Sequence, residues 1–127
     1  MPRSAARPGP SSYDAVYEVV RLIPAGHVMS YSGVARQMGR PGLQRMVGYA
    51  LRALKDSRGP AVPWWRVVNA EGRISNAYGP ELQRAKLIAE GVAVSADLRL
   101  DLAAYDAEEL VFARLSARRS QRPRKVG

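Results

Sequence analysis

Ser30-Tyr31-Ser32-Gly33-Val34-Ala35-Arg36-Gln37-Met38, then Gly39-Arg40-Pro41-Gly42, then Leu43-Gln44-Arg45-Met46-Val47-Gly48-Tyr49-Ala50-Leu51-Arg52 is the stretch on which the fold turns. Ser30 has the side chain of a helix N-cap, and Val34, Ala35 and Met38 follow at the spacing of one helical face. The two glycines and the proline of residues 39–42 break that helix. A third helix is predicted over 43–54, because Met46, Val47, Ala50, Leu51 and Leu54 recur at three- and four-residue intervals. The same periodicity turns Gln44, Arg45, Gly48, Arg52 and Lys55 outward. Helix, glycine-containing turn and helix with a basic outer side is the pattern of a helix-turn-helix, although many small helical domains share it.

Upstream, residues 1–10 are rich in proline and basic, and predict a flexible arm. Ser11 and Ser12 offer caps for a first helix carrying Tyr13, Val16, Tyr17 and Val20, which Pro24 would end. Pro24-Ala25-Gly26 is a turn, and His27 reads as a loop residue. Downstream, residues 56–60 form a loop leading to Pro63-Trp64-Trp65-Arg66-Val67-Val68. Residues 67–75 predict a small hairpin, or wing, turning at Gly72. Pro80 and Glu81 suit the first turn of a helix whose buried stripe would be Leu82, Ala85, Ile88 and Ala89, closed by Gly91. Leu98, Leu100 and Leu102 alternate with charged residues as in a short strand, and Asp106 with Glu109 would box a last helix carrying Leu110, Val111 and Leu115. The chain thus divides into an arm (1–10), a domain (11–94) and a C-terminal extension (95–127) with a basic tail.

Composition narrows the chemistry. With no cysteine and one histidine in 127 residues, disulfides, thiolate metal sites and cysteine nucleophiles are excluded, and neither a metal site nor a cofactor is expected. No apolar run reaches the roughly 20 residues that span a bilayer, and the N-terminus lacks the apolar segment of a secretory signal. A cytoplasmic protein without a membrane partner is expected, nucleoid-associated if bacterial. The net charge is +9. Its excess lies in the two ends and in residues 30–66, where seven basic residues face one acid, Asp56. That field points to a polyanion, most simply nucleic acid; solvated disordered ends are the alternative for the tails.

Trp64 and Trp65, the chain's two tryptophans, stand together in this basic region. Composition alone reads the rings as core filler. As a binding surface, indole offers a large flat face and one N–H donor, so it binds by stacking and shape and carries out no acid, base or nucleophilic step.

In order along residues 12–92, four segments resemble the DNA-binding domain of the O6-alkylguanine-DNA alkyltransferases. Ile23-Pro24-Ala25-Gly26 with Ser30-Tyr31-Ser32-Gly33-Val34-Ala35 resembles that family's approach to its helix-turn-helix, and residues 41–52 resemble its recognition helix. Pro63-Trp64-Trp65-Arg66-Val67-Val68 falls on its Pro-Cys-His-Arg-Val-Val active-site motif. Leu87-Ile88-Ala89-Glu90-Gly91 resembles the segment that closes the pocket. The departures matter most: Trp64 stands where the alkyl-accepting cysteine belongs, and Trp65 where the activating histidine belongs. Transfer needs a thiolate and a neighbouring base, and indole supplies neither. Tryptophan for cysteine marks the alkyltransferase-like proteins, and Trp65 departs even from those members that keep the histidine.

The resemblance implies a mainly α fold with a small β wing, a winged helix-turn-helix of the alkyltransferase type, and no enzymatic activity. It implies a monomer that binds double-stranded DNA containing O6-alkylguanine, with α-helical docking in the minor groove, and that passes the lesion to nucleotide excision repair damage-recognition proteins. Arg45 would fill the gap in the base stack, Tyr31 would press on the phosphate beside the target, and Trp64 would receive the extruded base. Trp65 would make the pocket floor more apolar, Val67 and Tyr78 would line the pocket, and Arg66 would touch a phosphate or pack against the wing. Glu90 would hydrogen-bond or act structurally. The competing reading is an ordinary winged-helix transcriptional regulator, a dimer whose third helix reads the major groove.

Overall fold

In the computed structural model, residues 10–56, 61–76 and 79–121 are described. Helix α1 (Pro10–Val20) starts on a proline whose fixed backbone angle suits a first helical turn. It buries Val16, Val19 and Val20. It stops four residues before Pro24, where Leu22 and Ile23 donate to the carbonyls three residues back, tightening the chain into turns. The short strand β1 (Met29–Ser30) then leads into α2 (Tyr31–Gln37). Ser30 caps α2 as its sequence predicts, accepting from the Gly33 amide at 2.9 Å.

Helix α3 (Gln44–Arg52) buries Met46, Val47, Ala50 and Leu51, and a 3-10 turn (Ala53–Asp56) prolongs it. It packs against α1 and α2. The Tyr17 hydroxyl donates to the Ala50 carbonyl at 2.7 Å, tying α1 to the middle of α3. A second 3-10 turn (Trp64–Arg66) opens directly into strand β2 (Val67–Val68). Two cores result: a larger one among α1, α2, α3 and Val67, and a smaller one around Val68, Ile74, Leu87, Val92 and Leu100.

The wing forms differently from its prediction. β2 pairs in parallel with β1, Met29 opposite Val67 and Ser30 opposite Val68, as suits two valines buried on both faces. The turn over residues 69–73 exists, held by the Asn69 side chain accepting from Glu71 and Arg73 amides, but Arg73 bridges to Arg99 rather than back to β2. Gly72 sits at φ 75° beside the Leu100 carbonyl, with which any Cβ would collide. The expected strand at 98–102 is correspondingly broken: Leu98 turns the chain at φ 69°, and Leu102 already begins α5 (Leu102–Tyr105).

Helix α4 (Pro80–Ala89) corrects a second expectation. Leu82 and Ile88 are exposed, at 54% and 45%, as are Ala85 and Ala89, and the buried face is Gln83 with Leu87. A polar side chain has taken the inner position because the carbonyls of Trp65 and Val67 need its donors. Gly91 ends α4 at positive φ, as expected. Helix α6 (Glu108–Gln121) places Val111 in the larger core together with Ala107. Leu115 packs against that core, whereas Leu110, expected inside, is 44% exposed. The Asp106 carboxylate accepts from the Glu108 amide, one residue short of the expected box. Val28 bridges to Asp106, so residues beyond 94 are built into both cores.

Candidate nucleic-acid interface

The tryptophan turn straddles the two cores. Trp64 packs against the larger and Trp65 against the smaller, their rings edge to face with centroids 5.9 Å apart. Both rings are partly exposed. The Trp65 indole N–H donates to Glu90 at 2.9 Å, and Arg66 pairs with the same carboxylate through Nη2 at 2.6 Å and Nε at 3.0 Å. Arg66 also donates to the Ile23 carbonyl at 2.8 Å, and the Gly26 amide donates to Glu90 at 3.2 Å. Each partner of the ion pair is 15% exposed. Burial by itself would raise the Glu90 pKa, but the bonds from Arg66, Trp65 and Gly26 outweigh it and hold the carboxyl below its ordinary range. Lys86 lies 4.6 Å from the Trp65 ring centroid and Arg66 5.3 Å, two cation–π contacts on one indole.

Gln83 clamps the turn from α4. At 2% exposure, its amide nitrogen donates to the carbonyls of Trp65 at 3.0 Å and Val67 at 2.9 Å. Its oxygen accepts from Asn76, whose own oxygen accepts from the Gly79 amide at 2.7 Å. This run of hydrogen bonds links the tryptophan turn to the start of α4, with both N–H donors of the Gln83 side chain satisfied.

The neighbouring face is built on α3. Tyr31, Gln44, Arg45, Gly48, Tyr49, Arg52 and Asn76 line a hollow of about 290 Å³, at the small end of the range for ligand sites. An adjoining concavity of about 550 Å³ shares Tyr31, Gln44 and Arg45. Burial pushes the Tyr31 phenol pKa up, with the Ser75 hydroxyl pulling the other way. Arg45 is exposed. A larger concavity, about 940 Å³ and lined by residues between Ile88 and Tyr105, shares no residue with this face and has one cation in its lining, Arg99.

Of the residues singled out from sequence, Tyr31 and Arg45 share the hollow, and Trp64 and Trp65 share the adjacent turn. Arg66 is committed to Glu90. Val67 is 1% exposed and sits in the larger core. Tyr78 lies outside the described residues. Sequence reasoning passed over Tyr49, Asn76 and Gln83. Tyr49 was reachable, since it lies four residues after Arg45 on one helical face; Gln83 was not, since nothing local distinguishes a clamping glutamine from a solvated one. Among the described residues no group of three or more histidines, cysteines or carboxylates converges, and no helix is long and apolar enough to cross a membrane.

Comparison with known proteins gives this arrangement a family. Residues 11–92 match the model for the 6-O-methylguanine DNA methyltransferase DNA-binding domain. The Escherichia coli (strain K12) DNA base-flipping protein is 45% identical over 92 residues, which is 71% of this chain and 69% of that protein. Alkyltransferase-like protein 1 of Schizosaccharomyces pombe is 39% identical over 85 residues, 65% of this chain and 77% of that one. The crystal structure of S. pombe Atl1 in complex with damaged DNA containing O6-carboxymethylguanine superposes with a TM-score of 0.68 at 36% identity, covering 74% of this chain and 92% of that chain. The chain belongs to the 6-O-methylguanine DNA methyltransferase DNA-binding-domain family, on its alkyltransferase-like branch.

Proposed function

We propose that this chain is a non-enzymatic sensor of O6-alkylguanine in duplex DNA. The observation that carries the reading is the pairing of two features: an indole-bearing turn clamped by Glu90 and Gln83, and, joined to it through the hydrogen bond from Asn76 to Gln83, a hollow edged by Tyr31, Arg45 and Asn76. In this reading α3 enters the minor groove, Arg45 fills the space left in the stack, and Tyr31 bears on the phosphate beside the target. The rotated guanine then rests against Trp64. Flipping costs a few kcal/mol, less for a weakly paired alkylguanine, and one aromatic stack returns about 1–3 kcal/mol. With those terms so close, a lesion that weakens pairing decides whether the base leaves the helix.

No alkyl transfer accompanies binding, because the chain has no cysteine and its two indoles supply neither nucleophile nor base. Trp65 and Arg66 hold the turn rather than meet the base, since Glu90 already engages both, and Val67 supports it from the core. The bound, flipped lesion is a marker for nucleotide excision repair proteins, and the protein acts as a monomer. The S. pombe Atl1 relative, solved on damaged DNA containing O6-carboxymethylguanine, supports a sensor in preference to a sequence-reading regulator.

Two unrelated duplex sequences, each with and without one O6-methylguanine, test the proposal. Lesion preference in both, with the methyl group still on guanine after incubation, is the expected result. Preference for one sequence whatever its modification would support the regulator, and demethylated guanine would mean an enzyme.

A further inference from the structure

Tyr49 stands on α3, 56% exposed, four residues after Arg45 and three before Arg52. That spacing places the three side chains in one stripe on one face of the helix. Among the described residues neither guanidinium meets a carboxylate and the phenol has no hydrogen-bond partner, in contrast to Arg36 and Arg66, which are both paired. The opposite face of α3 is locked into the core by Met46, Val47, Ala50 and Leu51, so the stripe is held on a rigid support.

A single exposed tyrosine is ordinary on a protein surface. This one is set apart by its company: it lines the same hollow as Tyr31, Arg45 and Asn76. Gly48 beside it carries no side chain, and a Cβ there would meet nothing within 4 Å, so the ring projects from a low backbone shoulder that another molecule can approach closely. Two unpaired cations flanking an unobstructed aromatic face are the elements of a nucleic-acid stacking site: the cations draw phosphates, and the ring takes an apolar face.

We infer that Tyr49 is a second DNA-reading side chain, whose ring wedges against the base stack about one helical turn from Arg45. The inference rests on the lesion-sensing proposal. Four residues advance α3 by about 6 Å, roughly two base steps of about 3.4 Å. With α3 lying along the groove, the ring meets the duplex about two base pairs from the position Arg45 fills, and partly unstacks it there, lowering the cost of turning the damaged nucleotide out.

The test uses the full chain, its Tyr49→Ala and Tyr49→Phe variants, and duplexes carrying 2-aminopurine two base pairs from a single O6-methylguanine or from an unmodified guanine. The parent is expected to raise 2-aminopurine fluorescence on binding. Tyr49→Ala should lose that rise and bind the lesion duplex about tenfold more weakly, whereas Tyr49→Phe should keep both. A Tyr49→Ala protein that binds and unstacks like the parent overturns the inference, and so does a Tyr49→Phe protein as impaired as Tyr49→Ala. Circular dichroism of the variants controls for folding; the exposed position predicts parental spectra. A parent that ignores the lesion refutes the sensor reading instead, and the effect of Tyr49→Ala on the unmodified duplex still decides for or against the wedge.

Discussion

The tryptophan turn and the outer face of α3 border the same region but are held in opposite states. In the turn the polar groups are tied together: Glu90 takes bonds from Trp65, Arg66 and Gly26, and Gln83 takes up the carbonyls of Trp65 and Val67. On α3 the outward guanidiniums of Arg45 and Arg52 have no acidic partner among the described residues. A saturated network fixes geometry, whereas unpaired exposed cations are ready to form new contacts. One region is a preorganised support for Trp64, and the other offers unpaired positive charge of the kind that attracts a polyanion.

Substitutions should therefore divide cleanly between stability and binding. The largest effect is expected from Glu90→Ala, which strands the Arg66 charge at 15% exposure and orphans the Trp65 N–H. Denaturant unfolding should show a loss of about 3 kcal/mol. Gln83→Leu leaves two carbonyls without their donor and should cost about 2 kcal/mol in the same measurement. It should also lower lesion preference, because the turn that positions Trp64 is loosened. If Gln83→Leu were as stable as the parent, the turn would not be clamped as described.

Protonation offers a milder way to break the same network. The Glu90 carboxyl is held below its ordinary value of 4.5, so its contribution is complete above that pH and is lost as pH falls through the lower, folded-state value. Stability of the parent should drop on acidification below about 4.5, and Glu90→Gln should flatten that part of the curve while lying lower at neutral pH. Identical curves for the two proteins would show that the pair is not coupled to folding. On α3 the expectation reverses: Arg45→Ala should change stability by no more than about 0.5 kcal/mol. It should weaken damaged and undamaged binding together and reduce the salt slope by about one ion.

The same contrast explains what was legible in the sequence. The helix-turn-helix was, because Ser30, Val34, Ala35, Met46, Val47, Ala50 and Leu51 express a local 3.6-residue period that nothing distant overrides. The wing was misread because residues 67–75 carry a turn signal that fits a hairpin equally well, while the true partners of Val67 and Val68 lie 38 residues upstream. In α4 the hydrophobicity of Leu82 and Ile88 pointed inward, and only the loop carbonyls above Gln83 explain why the helix is rotated. Both misreadings fall on long-range polar contacts, which leave no periodic trace in the chain. Trp64, Arg45 and Tyr31 were singled out through motif resemblance, whereas Tyr49 stands out only from which exposed residues share a concave face.

Lesion discrimination by Trp64 tests the account most directly. One duplex, with and without a single O6-methylguanine, is titrated at fixed salt against the parent and Trp64→Ala. The expected result is about tenfold tighter binding of the lesion duplex by the parent and a ratio near one for Trp64→Ala. Equal binding of the two duplexes by the parent, or an unchanged ratio in Trp64→Ala, would contradict it.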